Sequence, residues 1–397
     1  MTSPARTEPV PTRSIILLAG AGFASQAMVR VTDSLLPQIA SDFATSVGEA
    51  SIVVAAYAVS HGSVQLIIGP VGDRFGKYRT VAVMCALATI LVALCGTVHS
   101  LPGLALARFA SGAAAGWIIP TSMAYVGDVT PYNRRQPILA RYISGQIIGQ
   151  LFGQAAGGVL GDWLGWRNVF FVLAGMFALA TTGLIVELLT NPLTRAARPP
   201  DQKAHGFIAE YTLVLSNSWA RTVILAVFIE ASIGWGAFAY VGADLHLRFG
   251  LGFTAIGLIV GSFGIGGLLY AGAVQQLVDL LGQAGLTILG GVLIGIAYLV
   301  LAIGAAWWLA PLAVAGIGLG FYALHNTLQT NATQMTPQAR ATGVAIFSSA
   351  IYLGQTLGVA AGAFVYDRYT AVPLFLLTAV SLPALAVWFA RELRRRG

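Results

Sequence analysis

The run Gly69-Pro70-Val71-Gly72-Asp73-Arg74-Phe75-Gly76-Lys77-Tyr78-Arg79 separates two long apolar segments and is the densest island of charge in the first third of the chain. Glycine and proline let the backbone turn out of one helix and into the next. Asp73, Arg74, Lys77 and Arg79 are too costly to place in hydrocarbon. The stretch therefore reads as a loop at a membrane surface, and its flanks as segments that cross the membrane.

Composition agrees. The 397 residues are 57% hydrophobic and 9% charged, against about 25% charged in a soluble domain, which excludes a soluble enzyme. The 47 glycines are scattered through Leu, Ile, Val and Ala runs, as expected of closely packed membrane helices. A net charge of +7 could suggest nucleic acid, but the basic residues gather at segment ends and not in a stripe, so no nucleic-acid partner is expected. Cys85 and Cys95, the only cysteines, are ten residues apart in one apolar run, about 15 Å along a helix and too far to bridge. No P-loop, G-x-S-x-G or metal cluster occurs, so neither covalent catalysis, a metal nor a cofactor is indicated.

Apolar runs long enough to span about 30 Å occur at 14–37, 50–71, 79–98, 101–126, 138–161, 167–190, 219–241, 253–273, 283–303, 306–331, 340–364 and 372–390. These predict an all-α membrane protein of twelve spans. The first contains Arg30 and Asp33 and no small-residue cleavage site, unlike a signal peptide. Residues 1–13 read as a polar tail, 14–190 and 219–390 as two six-helix bundles, 191–218 as a linker with a short helix at 207–215, and 391–397 as a basic tail. With the N-terminus in the cytoplasm, seventeen Lys and Arg lie inside and three (Arg167, Arg248, Arg368) outside. The positive-inside rule then predicts a multi-pass cell-membrane protein with both termini cytoplasmic.

The polar punctuation repeats. Asp73 and Gly76 recur 206 residues later as Asp279 and Gly282. At an offset of 205, Arg135, Gly149, Gln150, Gly153, Gly157 and Asp162 match Arg340, Gly354, Gln355, Gly358, Gly362 and Asp367. The halves read as a parallel repeat about an axis along the membrane normal.

On these residues the chain resembles the major facilitator superfamily over its whole length, most closely the twelve-helix drug/proton antiporter branch. Gly69, Asp73, Arg74, Gly76, Lys77 and Arg79 match that family's loop signature between its second and third helices. Arg108, Gly112 and Gly116 match its fourth-helix signature, and Gly145, Gly149, Gly153, Gly157 and Gly158 resemble its antiporter ladder, with Gln154 where a proline is usual. Packing against a neighbouring helix accounts for such a ladder equally well. The resemblance implies alternating access between two bundles, spans 1, 4, 7 and 10 lining a central cavity, and a monomer as the working unit. It also implies that the Asp73 loop is a latch that closes its own side and biases the protein toward the outward-open state.

Ionisable groups inside spans point to function. Arg30 and Asp33 stand four to seven residues before Pro37, read as the outer end of the first span, and Arg108 is at similar depth in the fourth. The implied arrangement brings Asp33 within reach of Arg108, as a proton-exchanging pair or as a static ion pair. Glu230 lies mid-span with no Lys or Arg within a turn. Burial without a cation favours the neutral carboxyl, and Glu230 is expected to carry a proton or to face a cationic substrate. His61 reads as a packing residue, and His325 as cavity-lining or structural. Gln26, Trp117, Thr121, Trp235, Tyr240, Asn326 and Gln329 form an aromatic and amide set suited to an amphipathic organic molecule. The expected function is proton-driven export of such a compound, powered by the proton gradient. The alternatives are proton symport of a sugar or organic acid, or a non-transporting receptor.

Overall fold

The computed structural model describes residues 11–68, 75–130, 132–195 and 207–396. Its helices form twelve rods: α1 (Thr12–Arg30, resumed as Leu36–Asp42), α2 (Val47–Ala50 and Ile52–Gln65), α3 (Lys77–Thr97), α4 (Leu101–Ala115 and Ile118–Val129), α5 (Tyr132–Leu164), α6 (Trp166–Thr190), α7 (Ser218–Phe238 and Val241–Phe249), α8 and α9 (together Phe253–Ile303), α10 (Ala310–Ala332), α11 (Arg340–Tyr369) and α12 (Val372–Arg396). Thr12 and Arg396, the ends of the first and last rods, lie on one face, here the terminal face, and every second connection lies on the opposite face.

Local chemistry sets the boundaries. Ser46 and Ser100 accept from the backbone N–H three residues on, and Asn217 Oδ1 accepts from Trp219 N and Ala220 N at 2.9 and 3.1 Å, satisfying donors at helix starts. Gly282, with φ 62° and ψ −179°, separates α8 from α9. That conformation favours glycine, so the predicted turn Asp279–Gln283 contracts to one residue. Pro37 does not end α1. It sits in the first turn of Leu36–Asp42, where its missing N–H costs nothing. Arg30 and Asp33 therefore stand beside a break within the rod, deeper than the expected four to seven residues from its end. The linker helix runs Phe207–Ser216, and its Tyr211 hydroxyl donates to Leu66 O at 2.5 Å.

The repeated glycines are crossing points. A Cβ on Gly149 or Gly153 would stand 2.3 or 2.2 Å from the backbone oxygens of Phe23 and Ala27 on α1. On Gly354 or Gly358 it would stand 2.5 or 1.8 Å from those of Phe228 and Ser232 on α7. Thus α5 lies on α1 as α11 lies on α7. Gln154, at the position of the family's proline, is buried beside the first crossing with neither side-chain atom hydrogen-bonded.

The two groups of six meet most closely on the opposite face, again symmetrically. Asp162 at the end of α5 accepts from Thr254 N and Oγ1 at 3.2 and 2.6 Å, at the start of α8. Its repeat partner Asp367 on α11 accepts from Gly48 N at 2.9 Å and Ser46 Oγ at 2.6 Å, at the start of α2. Each carboxylate meets free N–H groups and the positive end of a helix dipole. Deeper in, Gly158 packs on Gly257, and Tyr240 joins Ser51 to Val359 O. The closed face is thus the one away from the expected latch. Gly69, Asp73 and Arg74 fall outside the described residues, while Gly76, Lys77 and Arg79 lie at the start of α3, Lys77 paired with Asp128 at 2.5 Å.

Two outcomes follow. Gly153→Val or Gly358→Val should lower the thermal unfolding midpoint in detergent by a cost of about 1–3 kcal/mol or more, whereas Gly175→Ala, with nothing within 4 Å, should not. Asp162→Asn combined with Asp367→Asn should shift the two-state population toward opening of this face by roughly 1–2 kcal/mol; spin labels at Ala44 and Tyr369 should then report a longer distance, and an unchanged distribution would show that the carboxylates do not hold the face shut.

Candidate transport site

The site begins at the break in α1. Helix carbonyls lose their partners at such an end, and Arg108 of α4 supplies donors there. Its Nη1 donates to Met28 O at 3.1 Å, Nη2 to Thr32 Oγ1 at 3.4 Å, and Nε to Val53 O of α2 at 3.2 Å. The guanidinium also lies 4.1 Å from the centre of the Tyr57 ring. Gly112 and Gly116 let α4 approach α2 closely enough for this, their virtual Cβ atoms standing 2.5 and 3.0 Å from Tyr57 O and His61 O. Arg108 is therefore a fully buried tether among three helices, and the expected Asp33–Arg108 pair does not form.

Asp33 pairs instead with Arg30, at 3.7 Å from Nη1. It is 1% exposed and neither carboxylate oxygen has a hydrogen-bond partner. Arg30, also buried, crosses to the other half and lies over the Trp235 ring at 3.4 Å from its centre, a cation–π contact strengthened by desolvation. Trp235 is in turn surrounded by Phe238, Phe263 and Phe321.

Glu230, one and a half turns before Trp235, is not isolated as the sequence implied. Its Oε2 lies 2.7 Å from His325 Nδ1 of α10, while Oε1 is buried without a partner. Glu230 borders a cavity of about 10 Å³, lined also by Trp235, Tyr298 and Phe321. His325 stacks on Phe321, which helix spacing places one turn earlier. The partner was missed because it lies 95 residues away in sequence.

The remaining expected contacts divide. Gln26 is half-buried one turn before Arg30, and Trp117 and Thr121 are buried at and just after the break in α4, with the Thr121 hydroxyl unpartnered. Asn326 donates to the Tyr270 hydroxyl at 2.8 Å, and Gln329 is exposed toward the terminal face. Tyr240 belongs to the contact between halves and not to the lining. His61 stacks between Tyr57 and Tyr352. Contacts thus run from α4 to α1, α7 and α10 in succession.

A family model described as Major Facilitator Superfamily matches residues 18–342. The chain is 25% identical over 339 residues to the uncharacterized MFS-type transporter YceJ of Bacillus subtilis, covering 84% of each. It is 27% identical over 171 residues to the multidrug resistance protein MdtL of Klebsiella pneumoniae, covering 43% of this chain and 42% of that one. The solved structure of a bacterial homolog of the human lysosomal transporter Spinster, inward-facing and unoccupied, superposes with a TM-score of 0.75 at 16% identity over 98% of both chains. The twelve-rod repeat, the signature glycines and the family match together make this chain a multi-pass transporter of the major facilitator superfamily.

Proposed function

We propose that the chain is a proton-coupled secondary transporter working by alternating access in the cell membrane as a monomer, with the terminal face cytoplasmic. The observation that carries the reading is Asp33, a buried carboxylate that among the described residues has no hydrogen bond and one ion-pair partner, Arg30, which rests on Trp235 of the other half. A proton arriving on Asp33 removes the counter-charge of Arg30, and a change of contact between halves follows from the same local event. Glu230 and His325 form a second proton site, one that can share a proton across 2.7 Å. In this orientation the face joined by the contacts of Asp162 and Asp367 is the outer one.

The first reading of direction is export of a small amphipathic compound in exchange for protons. It is supported by the resemblance to drug antiporters and by the similarity to the multidrug resistance protein MdtL. The glycine ladder adds nothing to it, because the second half repeats the same crossing at Gly354 and Gly358. A second reading, symport of an organic acid with protons, is favoured by the charge at the break in α1: two guanidiniums, Arg30 and Arg108, stand there against one carboxylate, Asp33, while the other buried carboxylate of the centre, Glu230, is paired with His325.

Asp33→Asn should abolish proton-driven flux in vesicles at unchanged protein abundance, a loss of at least tenfold, and undiminished flux would remove Asp33 from coupling. Glu230→Gln and His325→Gln should each lower proton-driven flux in vesicles at unchanged protein abundance. If the two groups act as one unit, the double variant will show a loss no larger than either single variant.

A further inference from the structure

Resting on the second of these readings, we propose that the site takes a monovalent organic anion, an aromatic or similarly flat carboxylate, and that this anion and the Asp33 carboxylate compete for the guanidinium of Arg30.

The two arginines of the cluster are not equivalent. Arg108 spends its donors on Val53 O, Met28 O and Thr32 Oγ1, so its position is fixed by α1 and α2. Among the described residues the Arg30 guanidinium makes no hydrogen bond within 3.5 Å; one edge faces Asp33 at 3.7 Å and one face covers Trp235. A guanidinium has five N–H donors, and a planar acceptor with two oxygens satisfies it as a fork. Asp33 does not make that fork in this state.

The surroundings fix the chemistry of the competitor. The charged and titratable groups that bear on Arg30 and Asp33 are Arg108 of α4, Tyr298 of α9, Tyr322 of α10 and Tyr352 of α11. None of these is a carboxylic acid, and Glu230, on the helix that carries Trp235, is itself paired with His325. With Asp33 ionised the cluster carries one positive charge in excess, and with Asp33 protonated it carries two. Buried charge of this kind is stable only when matched. A cationic substrate would add to the excess, whereas a monoanion removes part of it. The wall is aromatic, with Trp235 under the guanidinium and Phe321 beside it. Gln26, Tyr322 and Tyr352 are only half-buried, so the cluster is approached from the terminal-face side.

The linkage has a definite sign. A proton on Asp33 frees Arg30, so proton and anion bind together and neither displaces the other. Such co-binding moves both in the same direction, as symport.

Purified full-length protein in detergent tests the proposal, with phenylacetate, benzylamine and benzamide as matched anionic, cationic and neutral probes. Binding is read from thermal stabilisation and from tryptophan fluorescence. Phenylacetate alone should stabilise the protein, about tenfold more tightly near pH 5.5 than near pH 8. Arg30→Gln should weaken that binding by about 10–100-fold, and Arg30→Lys by less. Asp33→Asn, which leaves Arg30 in place, should bind tightly at both pH values. Stabilisation by benzylamine instead, phenylacetate binding that survives Arg30→Gln or is equal at both pH values in the unaltered protein, or silence of phenylacetate in both the unaltered protein and Asp33→Asn, would each overturn the proposal. In proteoliposomes the two levels separate. Phenylacetate that binds as expected but moves no protons sustains the arginine site and removes the coupling reading.

Discussion

A charge taken out of water must be matched, and inside a membrane bundle few groups can match it. That constraint organises the centre of this protein. At the break in α1, Met28 O and Thr32 Oγ1 accept from Arg108, and Val53 O of α2 holds its third donor, so the buried guanidinium is fixed by neutral oxygens. Because Arg108 is satisfied by neutral acceptors, Asp33 is left to Arg30, and Arg30 is left to an aromatic ring on the other half of the molecule. The same break that disturbs the helix thus produces an ion pair with incomplete contacts, which is what a site that changes partners requires.

Around this centre the scaffold is rigid for a different reason. With little hydrophobic drive between helices inside lipid, close approach of backbones supplies the packing, and the glycines of α5 and α11 bring those helices against the carbonyl oxygens of α1 and α7. The broken helices that carry the ionisable groups are therefore clamped along most of their length by unbroken ones. In α1 and α7 the regular helix is interrupted near Val31–Asp33 and Ala239–Tyr240.

Much of this was legible in the chain. Span number, the repeat and the two signatures depend on local composition and fixed spacing, which survive without knowledge of tertiary contacts. The depth of Arg30 and Asp33 was misread because a proline near the end of an apolar run looks like a terminus, although it is equally suited to the first turn of a resumed helix. The pairing of Glu230 with His325 was not legible at all, since neither residue carries a mark of the other. Nor did the sequence reveal which cation Asp33 meets, a matter of side-chain reach across a helix break. The loop at Gly69–Arg74, the most readable motif in the chain, lies outside the described residues.

The reciprocal contacts of Asp162 and Asp367 bear on the origin of the interface. The first half gives a carboxylate to the second half's helix start, and the second half returns the same group to the equivalent helix of the first. Residue contacting partner, and partner contacting residue, is the geometry of an isologous two-fold contact between identical subunits. The seam on the closed face therefore has the form of a homodimer interface written into one polypeptide. A six-helix unit bearing one such acid and one such helix start would already be complementary to a second copy of itself, before any divergence placed Arg30 and Asp33 in one half and Glu230 and His325 in the other.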